Sequence, residues 1–407
     1  MHILLTHVLI GRGGDAIQWS SLAEALRAAG HQVELAGAHA VQPYGAGGAG
    51  ARARDAGRRL PWWMRDLLEA ALIPLAWSRA WRLARRTPPD LIVHRASTYD
   101  VLGAALARTL RVPLVAYVDA HVPLERGFRR EWYWAWLYRM AMAALGRAAT
   151  RVVVPSAAVR DLCAALGVPA IRLVVEPNGV AERYLRLGAE AARRSPPLAA
   201  PGRCTIGFAG SLSAWHRVDL LLDAVARLTS RGDGVAYRLV VVGGGAGAIG
   251  LRRGAARLGI APLVEWRGPL PHDAALAAME AFDVAVLPGT LASGTPMKLV
   301  EYAAMGRPIV APDLPNVRAM LPDGERAVLV APGDPVALAE AVAALAAAPD
   351  RARRLGEAAR RWAAGRTWEA MARRVVRVVP DAPTPPERPA PAQPTPAGAL
   401  GGLRQEP

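Results

Sequence analysis

An apolar run at residues 2–10 leads into Gly11-Arg12-Gly13-Gly14, then a helix-forming stretch from Asp15 to Ala29 that stops at Gly30, then a second apolar run, His31–Ala36. This order leaves few topologies open, because strands joined through a helix lie parallel and the crossover is right-handed. The pattern recurs. Further strands read at Leu91–His94, Pro113–Val118, Arg151–Val154 and Ile171–Val175, separated by helical segments at 99–110, 131–148 and 157–166. A second series runs through Cys204–Ala209, Tyr237–Val242, Leu263–Trp266, Val284–Leu287, Ile309–Ala311 and Ala327–Val330, with helices at 218–229 and from Pro335 to Val379. The chain is therefore expected to be α/β, with two doubly wound parallel sheets covered by helices.

Length supports that division, since 407 residues exceed one ordinary domain and 52% hydrophobic content suffices for large cores. The expected domains are 1–182, a linker at 183–201 whose Arg193–Gly202 part is polar and proline-rich, 202–366, a C-terminal helix at 367–379 and a tail at 380–407. Proline and alanine dominate that tail, a composition that predicts disorder. Met1–Leu5 carries no basic segment ahead of its apolar residues and reads as a strand, not a signal peptide. No run is clean enough to span a bilayer. Two cysteines in apolar settings, Cys163 and Cys204, predict buried reduced thiols in a cytoplasmic protein and give no support to a metal site. The net charge of +16 comes without paired aromatic strands or zinc spacing, so anionic lipid or an anionic substrate is the expected partner, not nucleic acid.

The stretch Ser293–Pro312, SGTPMKLVEYAAMGRPIVAP, carries the chemistry. Pro296 suits a helix start, and Gly306-Arg307-Pro308 ends that helix before a buried strand. A helix N-terminus behind a loop attracts phosphate through its unpaired N–H groups. Lys298 and Glu301 lie three apart and so share one face, where a carboxylate can accept from a pair of sugar hydroxyls. Among 50 Lys+Arg, Lys298 is the single lysine. An ammonium and a guanidinium are not interchangeable at a crowded phosphate, so the exception marks this position. A nucleotide-sugar site is the reading.

Two other segments stand out. Trp62–Arg86 sets Trp62, Trp63, Trp77 and Trp81 beside Arg65, Arg79, Arg82, Arg85 and Arg86, with Pro74 expected to kink it. It reads either as an interfacial helix on a membrane or as a helix buried between domains. Asp119–Arg126, with His121, follows a strand's carboxyl end, where ligands bind in such sheets. Seven of twelve tryptophans fall between Trp62 and Trp136, which assigns acceptor contact to this half. His94 and Asn178 are expected to be structural.

Taken together, the two halves, the Pro177-Asn178-Gly179-Val180 junction, the glycine turn Gly210–Arg217 and PMKLVEYAAMGRP resemble the family-four glycosyltransferases of the GT-B fold, in which two Rossmann-like domains face a central cleft. The resemblance spans roughly residues 1–379. It implies a retaining, hexosyltransferase-like enzyme of polysaccharide biosynthesis that needs no metal and no cofactor beyond its nucleotide-sugar co-substrate. The acceptor would be a glycan, a lipid-linked or a small molecule, met in the cytoplasm or at the inner membrane face. By that resemblance Glu301 holds the ribose, and Lys298 with Gly210, Ser211, His216 and Arg217 surrounds the diphosphate. Ser293 and Leu299 line the donor, His121 reaches the transferred sugar, and Gly13 and Gly14 line the acceptor side. Ser293 stands where the family commonly has a second glutamate, His216 where a lysine is expected, and Ser211 where arginine is frequent. Two alternatives remain at this point: a catalytically inactive sugar-nucleotide-binding protein, and a sugar-nucleotide epimerase, which would need a carboxylate pair in the cleft.

Overall fold

A computed structural model describes residues 1–8, 14–38, 62–119, 135–292 and 294–378. Two six-stranded sheets form its frame. The first contains β1 (His2–His7), β2 (Gln32–Ala36), β3 (Leu91–Arg95), β4 (Leu114–Tyr117), β5 (Arg151–Val154) and β6 (Leu173–Val175), in the order β2-β1-β3-β4-β5-β6. The second contains β7 (Arg203–Ala209), β8 (Ala236–Val242), β9 (Val264–Gly268), β10 (Val284–Val286), β11 (Ile309–Pro312) and β12 (Val328–Val330), in the order β12-β11-β10-β7-β8-β9. Every strand pairing within them is parallel. Helices cover both faces, so Ile3, Leu4 and Leu5 are all fully buried and the strands show no alternation. Strand order reverses between β1 and β3 and between β7 and β10, which opens a crevice at the carboxyl end of each sheet. The Met297–Ala304 helix follows β10 and lies at the second crevice.

One core cluster runs through both halves, and each half also has a core of its own. The Gly14–Ala28 helix packs against the Trp368–Val376 helix, which returns to the first half at the end of the described chain. Trp19 meets Tyr117 edge to face at 6.4 Å, and the Tyr117 hydroxyl donates to Met371 Sδ at 3.3 Å. Gly179 lies against that return: a Cβ on it would sit 2.9 Å from the Trp368 nitrogen, so only glycine permits the approach. A polar strap then crosses between the halves. Arg95 donates to Asp119 at 2.7 Å, Gln18 donates to both Asp119 and Asn178, Asn178 donates to the Thr295 carbonyl at 3.0 Å, and Thr295 donates to the Pro155 carbonyl at 2.8 Å.

Two segments differ from what the sequence suggested. The stretch expected as a linker begins with a helix, Glu182–Arg194. Its arginines disguise a narrow stripe, Tyr184, Gly188 and Ala191, that is buried. Gly188 is pressed so close that a Cβ would lie 2.0 Å from the Ala304 carbonyl oxygen. Trp62–Arg86 is one helix with Pro74 inside it, and it rests on β1, β2 and the Leu102–Leu110 helix, on the first sheet, and not in the position between the domains that is its alternative reading. Ala76, Ala80 and Ala84 form its buried contact stripe, while Trp77 and Trp81 stack with ring centroids 6.0 Å apart and are half-buried. Among the described residues no helix is long and apolar enough to cross a membrane.

Candidate functional site

β7 ends at Ala209, whose N–H donates to the Tyr302 hydroxyl at 2.8 Å, fastening the Met297–Ala304 helix to the strand end. Gly210 follows with φ +147°, and a Cβ there would lie 2.6 Å from Lys298 Cε. The lysine side chain crosses directly under that backbone. The conformation favours glycine, and any Cβ there would push the end of the lysine aside.

Lys298 is 9% exposed. Its Nζ lies 2.6 Å from His216 Nε2 and 5.6 Å from the centre of the Phe208 ring. His216 Nδ1 lies 2.8 Å from the Ser211 carbonyl oxygen, which can only accept. Nδ1 therefore carries the ring proton and Nε2 accepts from the ammonium. Burial, and secondly the charge of Lys298, lower the His216 pKa to about 3. Burial also lowers that of Lys298 to about 8, against the opposing pull of Glu301. At neutral pH His216 is thus a neutral acceptor that holds Lys298, and not a cation set against phosphate.

Glu301, one turn along the same helix, is engaged elsewhere. Its Oε1 lies 2.8 Å from His272 Nε2, so the two residues of the sequence motif each have their own partner instead of pairing with one another. His272 is the first residue of the His272–Ala278 helix, which begins behind Pro271 just beyond β9. The ring meets Tyr184 edge to face at 5.2 Å, and Nδ1 lies 3.3 Å from the Tyr184 hydroxyl. That hydroxyl donates to Asp273 and accepts from Arg183. The bond from Tyr184 lowers the Asp273 pKa.

The remaining expected residues are distributed as follows. Ser211 and Arg217 are exposed at the mouth of the turn, and Arg217 forks onto Asp219 at 3.0–3.2 Å. Leu299 is fully buried, and its N–H donates to the Pro296 carbonyl at 3.0 Å, so its side chain belongs to the core. Gly14 opens the Gly14–Ala28 helix. Gly13, His121 and Ser293 lie outside the described residues. His94 is fully buried between Thr6 and Asp100, at 2.9 Å from each. Sequence reasoning missed His272 and Tyr184 altogether. The signal for His272 was a histidine directly after a proline at a strand's carboxyl end; for Tyr184 there was none.

Parallel sheets facing one another with this constellation at the switch point of the second define a GT-B architecture. Solved structures agree: HepE from Anabaena in complex with UDP-glucose superposes with a TM-score of 0.65 at 19% identity, covering 93% of this chain and 98% of that one. Sucrose-phosphate synthase from Thermosynechococcus elongatus gives a TM-score of 0.68, also at 19% identity, covering 91% and 96%. The model described as Glycosyltransferase Family 4 matches residues 12–183, and that described as Glycosyl transferases group 1 matches residues 203–348. The chain belongs to the family-four glycosyltransferases. One relative, the D-inositol 3-phosphate glycosyltransferase of Nocardia farcinica (strain IFM 10152), is 33% identical over 192 residues, 46% of this chain. The match spans less than half of that relative's own length, 42%.

Proposed function

We propose that this protein moves a sugar from a nucleotide-sugar donor to an acceptor, with retention of anomeric configuration. The observation that carries the reading is the buried Lys298 ammonium beneath the Gly210 turn, with Glu301 one turn further along the same helix. Cleavage at the anomeric carbon develops charge on the leaving diphosphate, and a fixed cation in a dry cleft stabilises it. Glu301 receives the ribose hydroxyls. A departing phosphate oxygen takes the acceptor's proton, so this reading needs neither a cofactor nor a metal. His121, Ser293, Gly13 and Gly14 would take the roles that the family resemblance implies. The donor occupies residues 202–366 and the acceptor residues 1–182.

The bound UDP-glucose of HepE makes a uridine diphosphate sugar the first donor to try. The name of the Nocardia relative supports a small phosphorylated polyol as acceptor, alongside glycan and lipid-linked ones. The exposed Arg79, Arg82, Arg85 and Arg86 support a cytoplasmic protein held peripherally at an anionic membrane. The test is incubation of the purified chain with UDP-, GDP- and ADP-sugars and with a phosphorylated polyol, a glycan or a lipid-linked sugar as acceptor, following nucleotide binding by calorimetry, release of nucleoside diphosphate, and product stereochemistry by NMR. Transfer with retention is expected. Binding without turnover would favour an inactive binding protein, an epimerised sugar would favour an epimerase, and no binding at all would overturn the donor site.

A further inference from the structure

The geometry points to His272 as a positioning residue that aims the Glu301 carboxylate at the ribose of the donor. The inference rests on the reading of Glu301 as the ribose acceptor. A carboxylate at the edge of a cleft can turn about its side-chain bonds, and freezing it on ligand binding costs affinity. His272 removes that freedom beforehand. A carboxylate oxygen accepts, so Nε2 carries the hydrogen across the 2.8 Å contact with Oε1. One lone pair of Oε1 and both of Oε2 are left for hydroxyls, enough acceptor capacity for a vicinal pair.

The imidazole is itself held. Tyr184, 3% exposed, packs against the ring at an interplanar angle of 76° and fixes its tilt. The Tyr184 hydroxyl lies beside Nδ1 and is anchored in turn by Asp273 and by Arg183 at 3.0 Å. The guanidinium of Arg183 also sits 4.6 Å above the Tyr184 ring. Tyr184 belongs to the Glu182–Arg194 helix, His272 to the helix after β9 and Glu301 to the helix after β10. Two other elements thus support the carboxylate, the His272 helix directly and the Tyr184 helix through His272. Such support is what a recognition group needs when it must already point correctly before its ligand arrives.

Calorimetry on the full chain tests this with UDP, GDP and ADP, followed by the tightest of the three against its 2′-deoxy form. His272→Ala should weaken the ribonucleotide about tenfold, the scale of one lost positioning hydrogen bond, and the deoxynucleotide much less. Added to Glu301→Ala, it should have little further effect. His272→Gln, whose amide reaches Glu301, should keep most of the affinity. His272→Asn, whose amide falls short, should lose it, and this pair decides the matter if the alanine variant melts below assay temperature. Equal weakening of both nucleotides, or Asn and Gln variants that behave alike, would overturn the inference. Wild-type affinity in His272→Ala alongside weak binding in Glu301→Ala would overturn it while leaving the ribose reading intact. Wild-type affinity in Glu301→Ala, or no binding of any nucleotide by the wild type, would overturn the ribose reading itself.

Discussion

Lys298 Nζ and His216 Nε2 lie 2.6 Å apart, and the histidine accepts. A buried ammonium satisfied by a neutral ring keeps its full charge, whereas one paired with a carboxylate would be cancelled. The single lysine of the chain is therefore left with a positive field for an arriving diphosphate. The same arrangement explains why histidine can stand where the family resemblance led to lysine. A second cation at that point would repel the first, whereas a ring that has lost its charge through burial orients it.

Lys298→Arg should lower turnover at saturating donor by about tenfold or more, although charge is conserved, because the planar guanidinium does not fit between Phe208 and the Gly210 backbone. Steady-state kinetics decides it. Full activity in this variant would reduce the lone lysine to a matter of residue usage.

Glu301→Ala should leave the fold intact, since the carboxylate's bond is to the partly exposed His272 and not to the apolar core, and should weaken donor binding by about 1–3 kcal/mol. Circular dichroism and calorimetry together measure both halves of that statement. Undiminished affinity would remove Glu301 from the donor site.

The pKa of about 8 at Lys298 sets a pH dependence with opposite signs for binding and stability. Donor affinity should fall as pH rises through 8, because the ammonium is lost. The unfolded chain keeps that proton up to the ordinary lysine value of 10.5, so unfolding takes up a proton in this window and stability should rise with pH across it. Lys298→Met should abolish both trends; a wild type whose donor affinity is flat from pH 7 to 9.5 would contradict the assignment.

Gly210→Ala should destabilise the protein by about 1–3 kcal/mol and depress donor affinity, since it combines an unfavourable φ with a clash against Lys298. Gly232→Ala is the control: φ there is +66° and nothing lies within 4 Å of the added carbon. It should lose stability without losing affinity. If both variants bind donor like wild type, the Gly210 turn is only a turn.

Liposome co-sedimentation addresses the membrane. With Trp77 and Trp81 half-buried against the first sheet, attachment through the Trp62–Arg86 helix should depend chiefly on its arginines, at about 1 kcal/mol each near an anionic surface. Binding to anionic vesicles at low salt should disappear at high salt and on charge reversal of Arg79, Arg82 and Arg85. Binding indifferent to the reversal would place any membrane contact elsewhere.

The twelve strands could be read directly from the chain, since an apolar run closed by a turn is a local pattern and both faces of a parallel sheet want the same residues. Lys298 was visible for a similarly local reason, as the one lysine in a helix-start motif. What those residues do to one another was not local. His216 and Lys298 are 82 positions apart, Glu301 and His272 are 29, and Tyr184 and His272 are 88. The helix at Glu182–Arg194 read as a linker because its arginines are conspicuous and its buried stripe acquires meaning only against Ala304 and its neighbours. Charge states lie furthest from the sequence. A histidine is neutral here, and a lysine poised near pH 8, because packing removed water from both, and desolvation is a property of the surroundings and not of the residue.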